Sequence, residues 1–207
     1  MKENVSPLLI VISAPSGGGK TTLCQQLLAR DPQITRAITC TTRAPRPGER
    51  DGVDYHFLDV ETFRRRVAAG EFLEHAIVHG NHYGTLKHEA LDKLRDGKDV
   101  LLNIDVQGAA SIRAQAAQVE ELKRARVSVF LTPASLSVLE ERLKKRGQDG
   151  PEVIQRRLAV ARQEIKQWQD FDYLILSASI AEDLRRMQAI VAAERMRQCR
   201  ARPPLME

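Results

Sequence analysis

A glycine-rich loop followed by a lysine and two threonines carries the clearest chemistry in this chain. Residues 8–12 form a continuous apolar run, as expected of a buried strand, and the loop follows directly. Glycines carry no Cβ, so backbone N–H groups can turn towards an anion, and the next helix adds its own free N–H groups. The sequence therefore predicts a nucleotide phosphate site. It comprises Ala14, Pro15, Ser16, Gly17, Gly18, Gly19, Lys20, Thr21 and Thr22.

Two side chains of this loop have expected roles. The Lys20 ammonium should reach the β- and γ-phosphates, and the Thr21 hydroxyl should bind Mg²⁺. One position departs from the pattern Gly-x-x-x-x-Gly-Lys-Ser/Thr, because Ala14 stands in place of its first glycine. A chance glycine-rich turn is the alternative interpretation. The strand, the Lys-Thr pair and the helical pattern lie in register, which favours the nucleotide site.

A phosphate loop alone does not choose between GTPases, motor ATPases and small kinases. A GTPase also needs Asp-x-x-Gly, which residues 105–108 match, and Asn-Lys-x-Asp, which the sequence lacks. Guanine is therefore not recognised as it is in GTPases.

A second group of residues can bind another phosphate. Arg43 and Arg46 lie three residues apart on a proline-stiffened loop, and Tyr55 and Tyr83 follow along the chain. Two guanidinium groups and two phenols can clamp one phosphate of a second nucleotide. The alternative is a solvated basic loop, which the phosphate loop elsewhere in the chain makes less favourable.

Two carboxylates in apolar strands point to a purine base. Glu74 lies within an otherwise apolar strand, and Asp105 stands at the end of another. Guanine presents its N1–H and 2-amino groups as donors that carboxylates accept, whereas adenine presents an acceptor at N1. Thr39 and Thr85 can serve O6 and neighbouring atoms. The alternatives are an exposed strand face for Glu74 and an outer contact to Mg²⁺ for Asp105.

Arginines in the second half of the chain can meet a phosphoryl group during transfer. Arg142 and Arg146 are four residues apart, so they share a helix face, and Arg157 stands early on the next helix. Arginines on a closing lid stabilise the charge that develops on a transferring phosphoryl group. Ordinary surface charge is the alternative.

The order of elements predicts an α/β fold. Strands and helices alternate at both ends of the chain, which indicates a parallel sheet with helices on both faces. Residues 34–97 break this alternation and predict an inserted α+β lobe, whereas the helical, arginine-rich residues 132–170 predict a lid. The sequence thus predicts one domain over residues 1–207. Its core comprises residues 5–33, 98–131 and 171–199.

Local patterns predict several helix starts. Asp59 predicts an N-cap, and a helix is predicted to follow Gly108. Capping boxes are predicted at Ser137-x-x-Glu140 and Ser179-x-x-Glu182.

Composition narrows the partners and the compartment. The net charge is +5, which suits a cleft for polyanionic nucleotides, and we expect neither nucleic acid nor a membrane as partner. The three cysteines are far apart in sequence, which predicts reduced thiols in the cytoplasm. Glu3 lies close to the start of the chain, and we expect no signal peptide. Three histidines, His75, His79 and His82, lack a zinc-ligand pattern.

Several stretches together resemble the bacterial guanylate kinases over almost the full length of the chain. The resemblance implies a P-loop NTPase-type parallel sheet with a GMP-binding lobe and a lid. It also implies the reaction ATP + GMP → ADP + GDP with Mg²⁺, in purine nucleotide recycling. Family members often carry alanine at the position of Ala14. The matching stretches are residues 13–22, 41–49, 54–57, 71–76, 80–85, 104–108 and 142–147.

The resemblance also implies a role for each candidate residue. The GMP phosphate contacts fall on Arg43, Arg46, Tyr55 and Tyr83. The guanine contacts fall on Thr39, Glu74, Thr85 and Asp105. The lid arginines fall on Arg142, Arg146 and Arg157.

Two departures from the family pattern stand out. Asn103 replaces an aspartate, and Ser177-Ala178-Ser179 replaces an Asn-Asp-Asp that lies near the adenine. The shorter Ser177 predicts loose selection of the phosphoryl donor. Alternative functions are a guanylate-kinase-like module that binds phosphopeptides and a kinase for another nucleoside monophosphate. The oligomeric state stays open, a homo-oligomer included.

Overall fold

The computed structural model describes residues 6–78, 80–145, 147 and 150–201, and in them two sheets. The strands are β1 (Leu9–Ser13), β2 (Ile34–Arg36), β3 (Thr39–Thr41), β4 (His56–Phe57), β5 (Phe72–Val78), β6 (Asn81–Leu86), β7 (Asp99–Asn103), β8 (Arg126–Pro133) and β9 (Tyr173–Ser177). The helices are α1 (Lys20–Arg30), α2 (Val60–Ala68), α3 (Lys87–Arg95), α4 (Val106–Ala116), α5 (Glu120–Ala125), α6 (Leu136–Lys145), α7 (Pro151–Ile165) and α8 (Ile180–Arg195), and a 3₁₀ helix covers Lys166–Asp170.

The larger sheet is parallel throughout, in the order β2-β7-β1-β8-β9. Every residue of β1 is buried, because its two faces meet different helices. On one face Ile10 and Ile12 pack in a cluster with side chains of α1 and α8. On the other face Leu9 and Val11 pack with α3, α4 and α5. This confirms the predicted parallel sheet with helices on both sides.

The smaller sheet, in the order β4-β3-β6-β5, is mixed. Strand β6 runs antiparallel to both β3 and β5, whereas β3 and β4 are parallel. Helix α2 covers it, with the Phe63 ring stacked on Phe72 at 4.5 Å between centroids. Asp59 caps this helix as predicted, since its side chain accepts from the Thr62 N–H.

The boundary of this lobe differs from the predicted start at residue 34. Ile34–Arg36 pairs with β7 in the larger sheet, and only Thr39–Thr41 belongs to the smaller one. Between them, the Ala37 N–H donates to the Leu101 carbonyl and the Ile38 N–H to the Glu89 carboxylate. Because of these contacts, residues 34–41 contribute to both sheets although they are continuous in sequence.

The segment predicted as a lid contains α6 and α7, which pack on each other through a small apolar cluster of their own, including Leu143 and Leu158. The predicted capping box at Ser137 is wrong, because α6 already begins at Leu136 and Ser135 lies before it. The 3.4 Å contact from the Val138 N–H to the Ser135 hydroxyl places the cap two residues earlier. No helix within the described ranges is long and apolar enough to span a membrane.

Candidate functional site

Four segments that carry candidate site residues lie at the carboxyl edge of the parallel sheet. The phosphate loop follows β1, Asp105 follows β7 after one residue, the lid follows β8, and Ser177 ends β9. Parallel strands place all their carboxyl ends at one edge, where ligands of open α/β sheets bind. The fold therefore brings together segments that are far apart in sequence.

The phosphate loop has the backbone that the glycines predicted. Gly17 and Gly19 adopt positive φ angles of +89° and +97°, and the Gly18 N–H donates to the Pro15 carbonyl at 2.8 Å. No side chain caps the start of α1, so the helix N-terminus is open to a ligand. The residues of this loop line one cavity together with Val78, Asp105 and Glu164.

Lys20 is held ready at this cavity. Its ammonium donates to the Ile104 carbonyl at 2.6 Å. Burial lowers its pKa, against the opposing effect of nearby Cys24, Asp105 and Glu164. Burial has removed part of the water around the Lys20 ammonium, and an incoming phosphate would offset that loss by pairing with it.

Glu164 is a site residue that sequence reasoning missed. It lies near the end of lid helix α7 and faces the phosphate loop, and burial raises its pKa. Its Oε2 atom is buried without a hydrogen-bond partner among the described residues. The only signal in the sequence was a glutamate on an arginine-rich helix.

A second cavity adjoins the first. It shares Lys20, Thr21, Val78 and Asp105 with the phosphate-loop cavity, so these four residues form a common wall. Strands β3, β5 and β6 of the lobe supply its other wall. The residues that line it are Lys20, Thr21, Thr39, Tyr55, Glu74, Ala76, Val78, Tyr83, Asn103, Ile104 and Asp105.

Glu74 is the buried acid of this second cavity. Its side chain belongs to a residue only 3% exposed, and the Thr85 hydroxyl donates to its Oε1 at 2.7 Å. Burial raises the pKa of Glu74 to about 7, and the neighbouring charge of Asp105 adds to the rise. A Cβ on Gly108 would lie 2.5 Å from Glu74 Oε2. The glycine therefore leaves the space that this carboxylate occupies.

Asp105 has a structural role beside its place in the cavity. It is the N-cap of α4, with Oδ1 accepting from the Gly108 N–H at 2.9 Å. The helix therefore begins at Val106, earlier than the predicted start after Gly108. The cap also holds the carboxylate at the cavity wall, because its position is tied to the helix backbone.

The basic loop meets the aromatic pair. The Arg43 guanidinium lies over the Tyr55 ring, 5.4 Å from its centroid, and Tyr55 and Tyr83 meet edge to face at 6.2 Å. One Arg43 nitrogen donates to both carboxylate oxygens of Glu49, at 2.9 Å each. The structure thus brings three of the four predicted phosphate contacts together.

The fourth predicted contact, Arg46, lines a neighbouring cavity together with Tyr55 and Arg36. Arg36 is a second residue that sequence reasoning missed. It ends β2, and its guanidinium lies 5.7 Å from the Tyr55 centroid while donating to the Asp54 carbonyl at 2.6 Å. Sequence alone could not find it, because it precedes the basic loop by several residues.

The lid arginines are placed differently from one another. Arg142 donates from both terminal nitrogens to the Ser177 hydroxyl, at 3.2 Å each. Arg157 is half-buried on α7, and Arg146 lies outside the described residues. A third cavity beside the phosphate loop is lined by Gly17, Gly19, Arg142, Lys145, Ser177, Ile180 and Asp183.

Comparison with known proteins agrees with this arrangement. The family model described as guanylate kinase matches residues 6–194. The chain is 49% identical over 189 residues to a guanylate kinase of Aromatoleum aromaticum, covering 91% of this chain and 89% of that protein. It is 43% identical over 200 residues to one of Maricaulis maris, covering 97% and 88%.

A solved structure shares both sequence and fold. The crystal structure of guanylate kinase from Anaplasma phagocytophilum superposes with a TM-score of 0.76 at 34% identity, covering 96% of this chain and 90% of that one. On these matches and on the geometry above, the chain belongs to the guanylate kinase family.

Proposed function

We propose that this protein transfers the terminal phosphoryl group of ATP to GMP, giving ADP and GDP in purine nucleotide recycling. The observation that carries the proposal is that two cavities share one wall. One is built on a phosphate loop, and the other on a buried carboxylate of the lobe. Lys20 and Asp105 line both, so a donor phosphate and an acceptor nucleotide can meet at Lys20.

The acceptor cavity suits GMP. Ionised Glu74 can accept from the guanine N1–H and 2-amino groups, and the Thr85 hydroxyl that donates to it holds it in place. Thr39 and Asp105 line the same space. Adenine offers an acceptor at N1, so the Thr85 hydroxyl would stay and the donor at N1 would be missing; a missing partner at a buried charged group costs about 1–3 kcal/mol or more.

The GMP phosphate is assigned to the aromatic and basic group. Arg43 and Arg46 supply charge, while Tyr55 and Tyr83 supply hydroxyl donors. Glu49 forms a salt bridge with Arg43 at 2.9 Å, so an arriving phosphate dianion competes with this carboxylate for the guanidinium group.

The residues around the phosphate loop fit a magnesium ion that arrives with ATP. Oxygen ligands suit Mg²⁺, and the Thr21 hydroxyl, the Asp105 carboxylate and the unpartnered Oε2 of Glu164 supply them here. Among the described residues, no group of three or more His, Cys, Asp or Glu side chains could hold a metal ion. In this proposal the nucleotide phosphates would supply the other ligands. When bound, the ion neutralises charge on the β- and γ-phosphates.

Transfer needs positioning and charge stabilisation rather than a general base. The acceptor is a GMP phosphate oxygen, which is largely ionised at neutral pH because its second pKa is about 6. Lys20 stabilises the β- and γ-phosphates, and Arg142, Arg146 and Arg157 of the lid are assigned to the developing charge. Closure of lobe and lid excludes water that would otherwise hydrolyse ATP.

The two alternatives fit less well. A phosphopeptide-binding module has no use for an intact phosphate loop, and Lys20 here is both present and half-buried in the wall of the acceptor cavity. A kinase for another monophosphate would not gain from a buried carboxylate at the base.

We propose the cytoplasm as the compartment, because the three cysteines are free thiols.

A coupled assay of ADP release tests the proposal. ATP and Mg²⁺ are supplied with GMP, dGMP, AMP, CMP or UMP in turn. We expect kcat/KM for GMP to exceed that for AMP by at least about 100-fold, as polar recognition at a buried site gives. No release with GMP, or a preference for another base, would contradict the proposal.

A further inference from the structure

Ser177 and Asp183 form a buried pair beside the phosphate loop. Ser177 ends β9, and Asp183 lies in the first turn of α8 and is 4% exposed. The Ser177 hydroxyl donates to Asp183 Oδ2 at 2.7 Å, and the Ala178 N–H donates to Oδ1 at 3.1 Å. Both oxygens of the aspartate therefore have partners within the protein.

This contact decides whether the Ser177 hydroxyl donates or accepts a hydrogen bond on the side that faces the cavity. A carboxylate only accepts hydrogen bonds, so the single hydroxyl hydrogen of Ser177 must point at Asp183. Its lone pairs face the cavity, where both Arg142 nitrogens donate to them at 3.2 Å, so the amino group of a bound base would take the place of one of these donors. Towards the cavity, Ser177 is thus an acceptor and not a donor.

The cavity lies where the base of the phosphoryl donor belongs. Gly17 and Gly19 of the phosphate loop form one side of it. The planar Arg142 guanidinium and the exposed side chain of Ile180 also line it, and both surfaces suit a flat purine ring. This placement rests on the function proposed above.

We propose that Asp183 is a positioning residue that sets donor selectivity through Ser177. By holding the hydroxyl as an acceptor, it favours a base with an amino group at position 6, as in adenine. A base with an oxygen there, as in guanine or hypoxanthine, brings two acceptors face to face. Selection of ATP follows from this pair, in contrast to the loose selection that the short serine suggested by itself.

The test compares ATP with ITP and GTP as donors at saturating GMP, in the wild type and three variants. Asp183→Asn keeps the shape, but Ser177 and Ala178 donate to different oxygens of Asp183. With the amide oxygen at the Ala178 N–H, the amide NH₂ group faces Ser177, so the serine hydrogen is released. Ser177→Ala removes the acceptor. Glu182→Gln is the matched control, because Glu182 is one residue away and pairs with Arg185 and Arg186 instead.

We expect Asp183→Asn and Ser177→Ala each to lower the ratio of kcat/KM for ATP to that for ITP by about tenfold, within the range of one polar base contact. Glu182→Gln should leave the ratio within about twofold of wild type. The GTP ratio should move in the same direction. Ratios that stay within twofold in both variants, or that move equally in the control, overturn the proposal.

A binding measurement separates this proposal from the proposed function. If the wild type does not use ATP and GMP, the proposed function fails. Calorimetry with ADP and IDP at saturating GMP then reads the same selectivity without turnover. A wild-type preference for ADP that Asp183→Asn reduces supports the role of Asp183, whereas equal affinities for ADP and IDP in the wild type refute it.

Discussion

Lowering the pH should weaken GMP binding through protonation of Glu74. The Glu74 carboxylate is buried, and burial raises its pKa to about 7. The guanine N1–H and 2-amino groups are donors, so they need the ionised form. Binding must therefore remove a proton from Glu74 whenever the pH is below about 7.

The magnitude follows from the two pKa values. If the two guanine donors return the pKa of bound Glu74 to its ordinary value of 4.5, affinity rises about tenfold for each pH unit between these values and levels off above them. From pH 5.5 to pH 8 the Kd for GMP should fall by about 30-fold. At pH 6, Glu74 should release about 0.9 proton for each GMP bound.

Calorimetry in buffers of different ionisation enthalpy measures both quantities. The phosphate of GMP itself titrates near pH 6, so the comparison needs Glu74→Gln, which lacks the titrating group and keeps an amide acceptor. We expect this variant to lose about one proton of release at pH 6 relative to wild type. Equal proton release in the two proteins would refute the reasoning.

The same shift predicts the pH dependence of stability without nucleotide. Because the folded-state pKa of Glu74 is raised, its stabilising contribution is complete below pH 4.5 and is lost as the pH rises through 7. A shift of this size corresponds to about 3 kcal/mol. Urea unfolding at pH 5 and pH 8 should therefore show a smaller difference in Glu74→Gln than in wild type.

Three substitutions test the division of the site. Lys20→Ala should reduce phosphoryl transfer by at least about 100-fold while GMP still binds by calorimetry; loss of GMP binding in a folded variant would contradict separate donor and acceptor sites. Arg43→Ala should weaken GMP and AMP binding alike, by about 10- to 100-fold, and a changed ratio between the two would show that Arg43 reads the base. Gly108→Ala, whose Cβ would lie 2.5 Å from Glu74 Oε2, should raise KM for GMP about tenfold. An equal rise in KM for ATP would indicate general damage.

Local features of this protein were predictable from the sequence. The phosphate loop needs a strand, glycines and a helix in immediate succession, and its positive φ angles appear at Gly17 and Gly19 as expected. The caps at Asp59 and Ser179 were also predicted correctly. Such features depend on the conformation of a few adjacent residues, so adjacent residues suffice to predict them.

Only the tertiary structure decided which distant groups share an environment. The extended segment at residues 34–42 belongs to two sheets, because the Ala37 N–H donates to the Leu101 carbonyl and the Ile38 N–H donates to the Glu89 carboxylate. Glu74 acquired its raised pKa from burial beside Asp105. Ser177 faces the cavity as a hydrogen-bond acceptor because its hydroxyl donates to Asp183 on the next helix. Burial and hydrogen-bond partners depend on how the chain packs, and sequence spacing alone does not contain that information.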